Sequence, residues 1–226
     1  MTIEEAIRKR RSIRSYYKTD IPDSVIAKLE EKIYGINQKA KLNFQLVTKE
    51  EDAFGGFIAK YGKFSGVRNY IALAGEKSPD LLEMVGYYGE YLALVAQMLG
   101  LNTCWVGLTV KKGVIKEICK LKANEKVVAV LVIGYGNEEV RPRKSKTINQ
   151  VCKDTTPKPQ WFMNGVEAAL LAPTAMNQQR FVFTLEENSV ELKPTLGFYT
   201  KVDLGIVRYH FEVGAKIQNF TWLQPE

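Results

Sequence analysis

Three arginines and a serine crowd into R-R-S-I-R, at Arg10, Arg11, Ser12 and Arg14. A guanidinium fork binds phosphate oxygens bidentately, and a serine hydroxyl adds a short neutral bond. A phosphomonoester carries about −1.5 to −2 charges near neutral pH, so several neighbouring cations suit it better than one. A second basic group, R-P-R-K at residues 141–144, supplies Arg141 and Arg143. Either cluster reads equally well as a solvated basic face. In L-G-L-N-T-C-W-V-G (residues 99–107), Trp105 offers a flat surface and Gly107 lets backbone N–H groups approach a ligand. A tryptophan packed in the core is the commoner reading of such a residue. Towards the other end, A-P-T-A-M-N-Q-Q-R-F (172–181) mixes small residues with amides. Amide side chains both donate and accept hydrogen bonds, which suits a ligand with a polar edge.

Other chemistries are poorly supplied. The single histidine, His210, rules out a histidine-rich metal site within one chain, and no G-x-S-x-G elbow exists for it to serve as base. His210 therefore reads as a structural or solvated side chain. Cys104, Cys119 and Cys152 are scattered and odd in number, as expected of reduced thiols in a cytoplasmic protein rather than a disulfide framework. The N-terminus begins acidic and lacks the apolar core of a signal peptide, and no stretch approaches the roughly 18 apolar residues of a membrane helix. The net charge of +7 suits nucleic acid, a membrane surface or a small anion. Two separate basic clusters fit a phosphate gripped from two sides at least as well as a continuous nucleic-acid track.

These residues need elements to hold them. Residues 2–11 read as a short helix with Glu4 and Glu5 in its first turn, matching the helix dipole. A second helix is expected over 21–35, where Val25, Ile26, Leu29 and Ile33 recur at helical spacing and Gly35 offers a stop. Strands follow at 43–48 and 102–107, a long core helix at 81–99, and a short helix at 111–121. The β-branched run at 126–136 reads as a fully buried central strand. Its G-Y-G ending lacks the third glycine of a dinucleotide fingerprint. A helix at 160–172, strands in R-F-V-F-T-L-E-E and V-E-L-K-P around an N-S turn, and a helix at 203–215 complete the chain. Helices alternating with strands indicate a layered α/β or α+β fold. Two internal echoes run in the same order: G-I-N-Q (35–38) with A-M-N-Q (175–178), and Gly86 to Ala96 with Gly205 to Ala215.

R-R-S-I-R, then L-G-L-x-x-C-W-V-G, then V-I-G-Y-G-x-x-x-x-x-R-P-R-K resemble, in that order, the FMN-dependent nitroreductase family over residues 1–150. The resemblance implies an α+β fold, a three-layer α/β/α sandwich around a mixed β-sheet. It implies FMN, with the phosphate held by Arg10, Arg11, Ser12, Arg14, Arg141 and Arg143, and the ring approached by Trp105, Val106 and Gly107. It further implies NAD(P)H as electron donor and an electron-poor acceptor such as a nitroaromatic or quinone; an FMN-binding module without efficient turnover is the alternative. No general acid, base or metal ligand is named.

Family homodimers carry an A-P-S-x-x-N-x-Q-P-W loop that reaches the flavin bound mainly by the other subunit. Its expected place here, I-Y-G-I-N-Q-K-A-K-L-N-F, lacks the motif, which resurfaces as A-P-T-A-M-N-Q-Q-R-F. The chain then reads as one 226-residue domain with an internal pseudo-twofold repeat. A first copy (1–150) would bear the phosphate motifs, and a truncated second copy (151–226) would supply Pro173, Thr174, Ala175 and Asn177. One FMN per chain follows, in a monomer, with a homodimer as the alternative. Arg180-Phe181 replaces the family's Pro-Trp, and the region around 50–80 is short.

Overall fold

The run Val127–Ile133 forms the heart of a sheet in the computed structural model, which describes residues 1–54, 64–139, 142–152, 156–216 and 220–223. The chain divides into two compact units: Lys9–Leu81 with Tyr91–Arg141 (and Met1), and Thr2–Arg8 with Leu82–Glu90 and Pro142–Glu226. In the first unit, β1 (Gln45–Val47), β2 (Tyr70–Glu76), β3 (Asn102–Val106) and β4 (Glu125–Gly134) pair in the order β1-β2-β4-β3. Every neighbouring pair is antiparallel. The expected central strand is therefore β4, but its neighbours run against it.

The sheet is held by apolar burial on both faces. Tyr70, Ala72, Val130, Val132, Cys104 and Ile115 belong to one buried cluster, and each large aliphatic side chain removed from water contributes about 1.5–3 kcal/mol. The short helix α4 (Lys112–Ile118) adds Ile115 to it. The expected stop at Gly35 is not used. Helix α2 runs Asp23–Ala40, buries Ile36 on the same face as Leu29 and Ile33, and ends at Lys41 with φ 52°. Asn37 then ties the helix to the strand that follows, donating to the Phe44 carbonyl at 2.9 Å and accepting the Phe44 N–H at 2.9 Å. G-I-N-Q thus lies inside a helix, and its echo with A-M-N-Q is not structural.

The second unit contains α5 (Ile148–Val151), α6 (Gln160–Ala169), α7 (Thr200–Ala215) and residues 82–90 of the long helix α3 (Leu81–Met98). Strands β5 (Phe181–Glu186) and β6 (Ser189–Pro194) form a hairpin turned at Glu187 and Asn188, and β7 (Thr221–Trp222) lies parallel to β6. Among the described residues, two sheets thus stand in place of the single mixed sheet expected. A two-residue turn commits β5 to its immediate neighbour, which closes the second sheet locally. Aromatic rings fill this core: Phe183 stacks on Phe211 with centroids 4.9 Å apart, and Phe162 meets Phe211 edge-on at 5.7 Å.

Helices α3 and α7 cross at two glycines in a reciprocal contact. A Cβ on Gly86 would collide with the Val202 carbonyl and stand 3.1 Å from the Gly205 Cα. A Cβ on Gly205 would collide with the Glu83 carbonyl. Each glycine thus faces the residue three before the other. Around the crossing, Arg208 pairs with Glu83 at 3.1 Å and the Tyr87 hydroxyl donates to Glu212 at 2.5 Å.

Candidate functional site

Helix α1 (Ile3–Lys9) ends where the chain enters the first unit, and the residues that follow run along β3. The Ile13 N–H donates to the Thr103 carbonyl at 3.1 Å, with Ser12 and Thr103 paired in parallel. Three residues beyond Ile13, Tyr16 pairs with Gly136, the Tyr17 N–H reaches the Tyr135 carbonyl at 2.9 Å, and the Asn137 N–H reaches the Ser15 carbonyl at 2.8 Å. The G-Y-G ending of β4 exists for this junction. A Cβ on Gly134 would press the Tyr16 ring at 3.0 Å, and one on Gly136 would meet Asn102 Oδ1 at 2.7 Å. The Gly136 N–H instead donates to that oxygen at 2.9 Å.

The structure thus brings R-R-S-I-R beside the strand that carries Trp105 and Val106. Arg10 is only 3% exposed, Arg11 and Ser12 are partly buried, and Arg14 is open to solvent. Val106 is buried, while Trp105 and Gly107 are half-exposed. Arg11 folds back, its Nη1 donating to the Arg10 carbonyl at 2.9 Å. A carboxylate also stands here: Glu138 accepts the backbone N–H of Arg14. Burial pushes the Cys104 thiol up; the Arg14 and Arg10 charges pull it down and Glu138 pushes it further up, so all three sit within electrostatic reach of one buried atom. The donor set fits an anion, with Glu138 as an internal competitor that sequence reading missed.

The other expected residues lie in the second unit, apart from Arg141, which falls outside the described residues. Arg143 is partly buried and donates to the Ile7 carbonyl at 3.2 Å. Pro173, Thr174, Ala175 and Asn177 occupy the irregular segment between α6 and β5. Thr174 Oγ1 accepts the Gln179 N–H at 3.0 Å, and the Asn177 amide donates to the Lys144 carbonyl at 2.8 Å. Gln179 is structural: buried, it accepts the Lys146 N–H at 2.7 Å and donates to the Leu170 carbonyl at 2.8 Å. The Ala175 N–H is held by Asp203, 3.0 and 3.1 Å from its two carboxylate oxygens. Asp203 also escaped the sequence reading, because the helix begins at Thr200 and so turns it inward.

His210 is a core residue. Its Nε2 lies 2.9 Å from Glu90 Oε1 and its Nδ1 3.0 Å from the Ala168 carbonyl, with both side chains fully buried. A carbonyl can only accept, so Nδ1 carries a proton and the dyad shares a second between Nε2 and the carboxyl. Among the described residues no cluster of three or more His, Cys, Asp or Glu could hold a metal ion. No helix among them is long and apolar enough to cross a membrane.

A family model described as "Putative TM nitroreductase" matches residues 2–215. The chain belongs to this nitroreductase family. A crystal structure from Thermotoga maritima, described as a putative nitroreductase, superposes with a TM-score of 0.70 at 23% identity, covering 100% of this chain and 90% of that one. An FMN-dependent nitroreductase from Clostridium difficile R20291 gives 0.51 at 22% identity, over 62% of this chain and 90% of that one. A variant FMN- and NADPH-dependent nitroreductase from Sphigopyxis sp. strain HMH gives 0.56 at 16%, over 67% and 97%. These likenesses establish a nitroreductase-like α+β fold. The sequence matches none of the curated proteins.

Proposed function

We propose that this chain is an FMN-dependent oxidoreductase that passes electrons from NAD(P)H to an electron-poor small molecule such as a nitroaromatic or quinone. The observation that carries the reading is the passage of R-R-S-I-R along β3, which gathers Arg10, Arg11, Ser12 and Arg14 beside Trp105 and Val106. FMN supplies the hydride and electron chemistry when bound, and the protein supplies binding, orientation and electrostatics. Arg10, Arg11, Ser12 and Arg14, with Arg141 and Arg143, bind the phosphate in this reading. Trp105, Val106 and Gly107 lie along the ring, and Pro173, Thr174, Ala175 and Asn177 present backbone and amide groups to its polar edge. Arg14 also offers positive charge to an anionic reduced cofactor.

The second part of the proposal is that residues 151–226 are a truncated second copy fused to the first, in a three-layer arrangement with a pseudo-twofold axis. The reciprocal crossing of Gly86 and Gly205 supports it, since a twofold contact sets residue i against j and j against i. The complementary losses of A-P-S-x-x-N in one copy and R-R-S-x-R in the other point the same way. One FMN per chain is the expected stoichiometry.

The test is an absorbance spectrum of the purified protein before and after NADH or NADPH under nitrogen. Flavin bands that bleach, with steady turnover once a quinone is added, are expected. Flavin bands that persist would favour a binding module without turnover. A colourless protein that takes up no added FMN would end the flavin reading.

A further inference from the structure

The segment joining α6 to β5 is strained. Met176, Asn177 and Gln179 have φ of 51°, 55° and 48°, and left-handed backbone costs a non-glycine residue about 1–2 kcal/mol. Such a conformation persists only where its surroundings over-determine it. Most of its anchors are neutral: the Thr174 hydroxyl, the Asn177 amide on Lys144, and the buried Gln179 side chain. One is not. Asp203 is 6% exposed, directs both carboxylate oxygens at the Ala175 N–H, and makes no ion pair among the described residues.

A buried carboxylate without a cation is costly unless hydrogen bonding repays it. The charged groups on the surrounding elements are engaged elsewhere or lie outside its hydrogen-bonding range. On residues 82–90 of α3, Glu83 pairs with Arg208 and Glu90 with His210. On its own helix, Arg208 also meets Glu212, and Lys201 is exposed. Near the segment, Lys146 bonds the Gln179 carbonyl, Lys144 and Arg180 are exposed, and Arg143 bonds Ile7. The Ala175 amide is the group Asp203 serves.

We infer that Asp203 is a positioning residue for the Thr174–Asn177 segment, holding it through the Ala175 amide when ionised and relaxing it when protonated. A charge-assisted bond to a carboxylate is roughly twice as strong as a neutral one. Burial pushes the Asp203 carboxyl up to about 7, with the Ala175 N–H pulling it back only partly. The segment therefore tightens as pH rises through neutrality. The inference rests on the flavin reading only for the segment's part in cofactor binding.

Hydrogen exchange at the Ala175 amide tests it, measured on the full chain without added flavin from pH 5.5 to 8.5 (roughly spanning the titration) and corrected for intrinsic exchange. In the parent protein, protection should rise about tenfold with a midpoint near pH 7. Asp203→Asn keeps an acceptor oxygen, so its protection should be intermediate and independent of pH; Asp203→Ala should be low throughout. A flat profile in the parent, or the same titration in Asp203→Asn, would overturn the inference, even if Asp203→Ala fails to fold. FMN binding, followed by quenching of flavin fluorescence, should strengthen with pH in the parent alone. Exchange that titrates while FMN binds at no pH would uphold the positioning role and remove the flavin reading. FMN that binds above a flat exchange profile would do the reverse.

Discussion

Arg10 is the cation most committed to its place, buried where the chain turns from α1 onto β3. A charged hydrogen bond contributes about 1.5–3 kcal/mol, so Arg10→Ala should weaken FMN binding by about ten- to a hundredfold in a fluorescence titration. Glu138 should act in the opposite direction. Its carboxylate occupies the Arg14 N–H, a donor that an incoming phosphate would use, and like charges there oppose the ligand. Glu138→Gln should tighten FMN or inorganic phosphate about tenfold, a coupling of about 1.4 kcal/mol; unchanged affinity would place the phosphate elsewhere. The spacing of the arginines marked them as candidates beside the reading of a solvated face, and the structure adds that their stretch runs along β3. Glu138 and Asp203 were not, since a carboxylate acquires such roles only when long-range folding removes it from water.

At the scale of elements, the glycines separate two kinds of helix position. Gly86→Ala drives a methyl group into the Val202 carbonyl and should cost about 1–3 kcal/mol or more by urea denaturation. Gly35→Ala, exposed inside α2 with nothing within 4 Å, should stabilise the chain by about 0.5–1 kcal/mol. The Glu90–His210 pair joins α3 to α7, and His210 in turn holds the end of α6. Removing one partner by Glu90→Ala leaves a buried polar group and should cost about 3–5 kcal/mol. The helices were readable from periodicity, whereas β2 was not foreseen at all. Tyr70–Ala74 is buried without alternation and rich in alanine, so neither a two-residue rhythm nor β-branching marks it. Gly35 misled for a related reason: a glycine stops a helix only if the next turn has nothing to bury, and here Ile36 does.

For the molecule as a whole, Asp203 sets a slope in stability against pH. Its folded-state value of about 7 lies above the ordinary 3.8, so the folded chain holds this proton where the unfolded chain has released it. In global unfolding, which carries Asp203 into water, stability from this group is therefore full below pH 3.8, falls as pH rises towards 7, and is level above. The Ala175 bond, opened locally while Asp203 stays buried, has the opposite dependence because that bond lowers the carboxyl's pKa. The drop amounts to about 4 kcal/mol. Urea midpoints at acidic and neutral pH should show the slope in the parent minus Asp203→Asn difference, whatever the other carboxylates contribute. The Gly86–Gly205 crossing has a different consequence. Both helices belong to one chain, so their encounter is governed by an effective concentration, in the millimolar range for short tethers, and not by how much protein is present. Dilution cannot part them. A melting temperature constant over a thousandfold range of protein concentration is the expected signature of that tether.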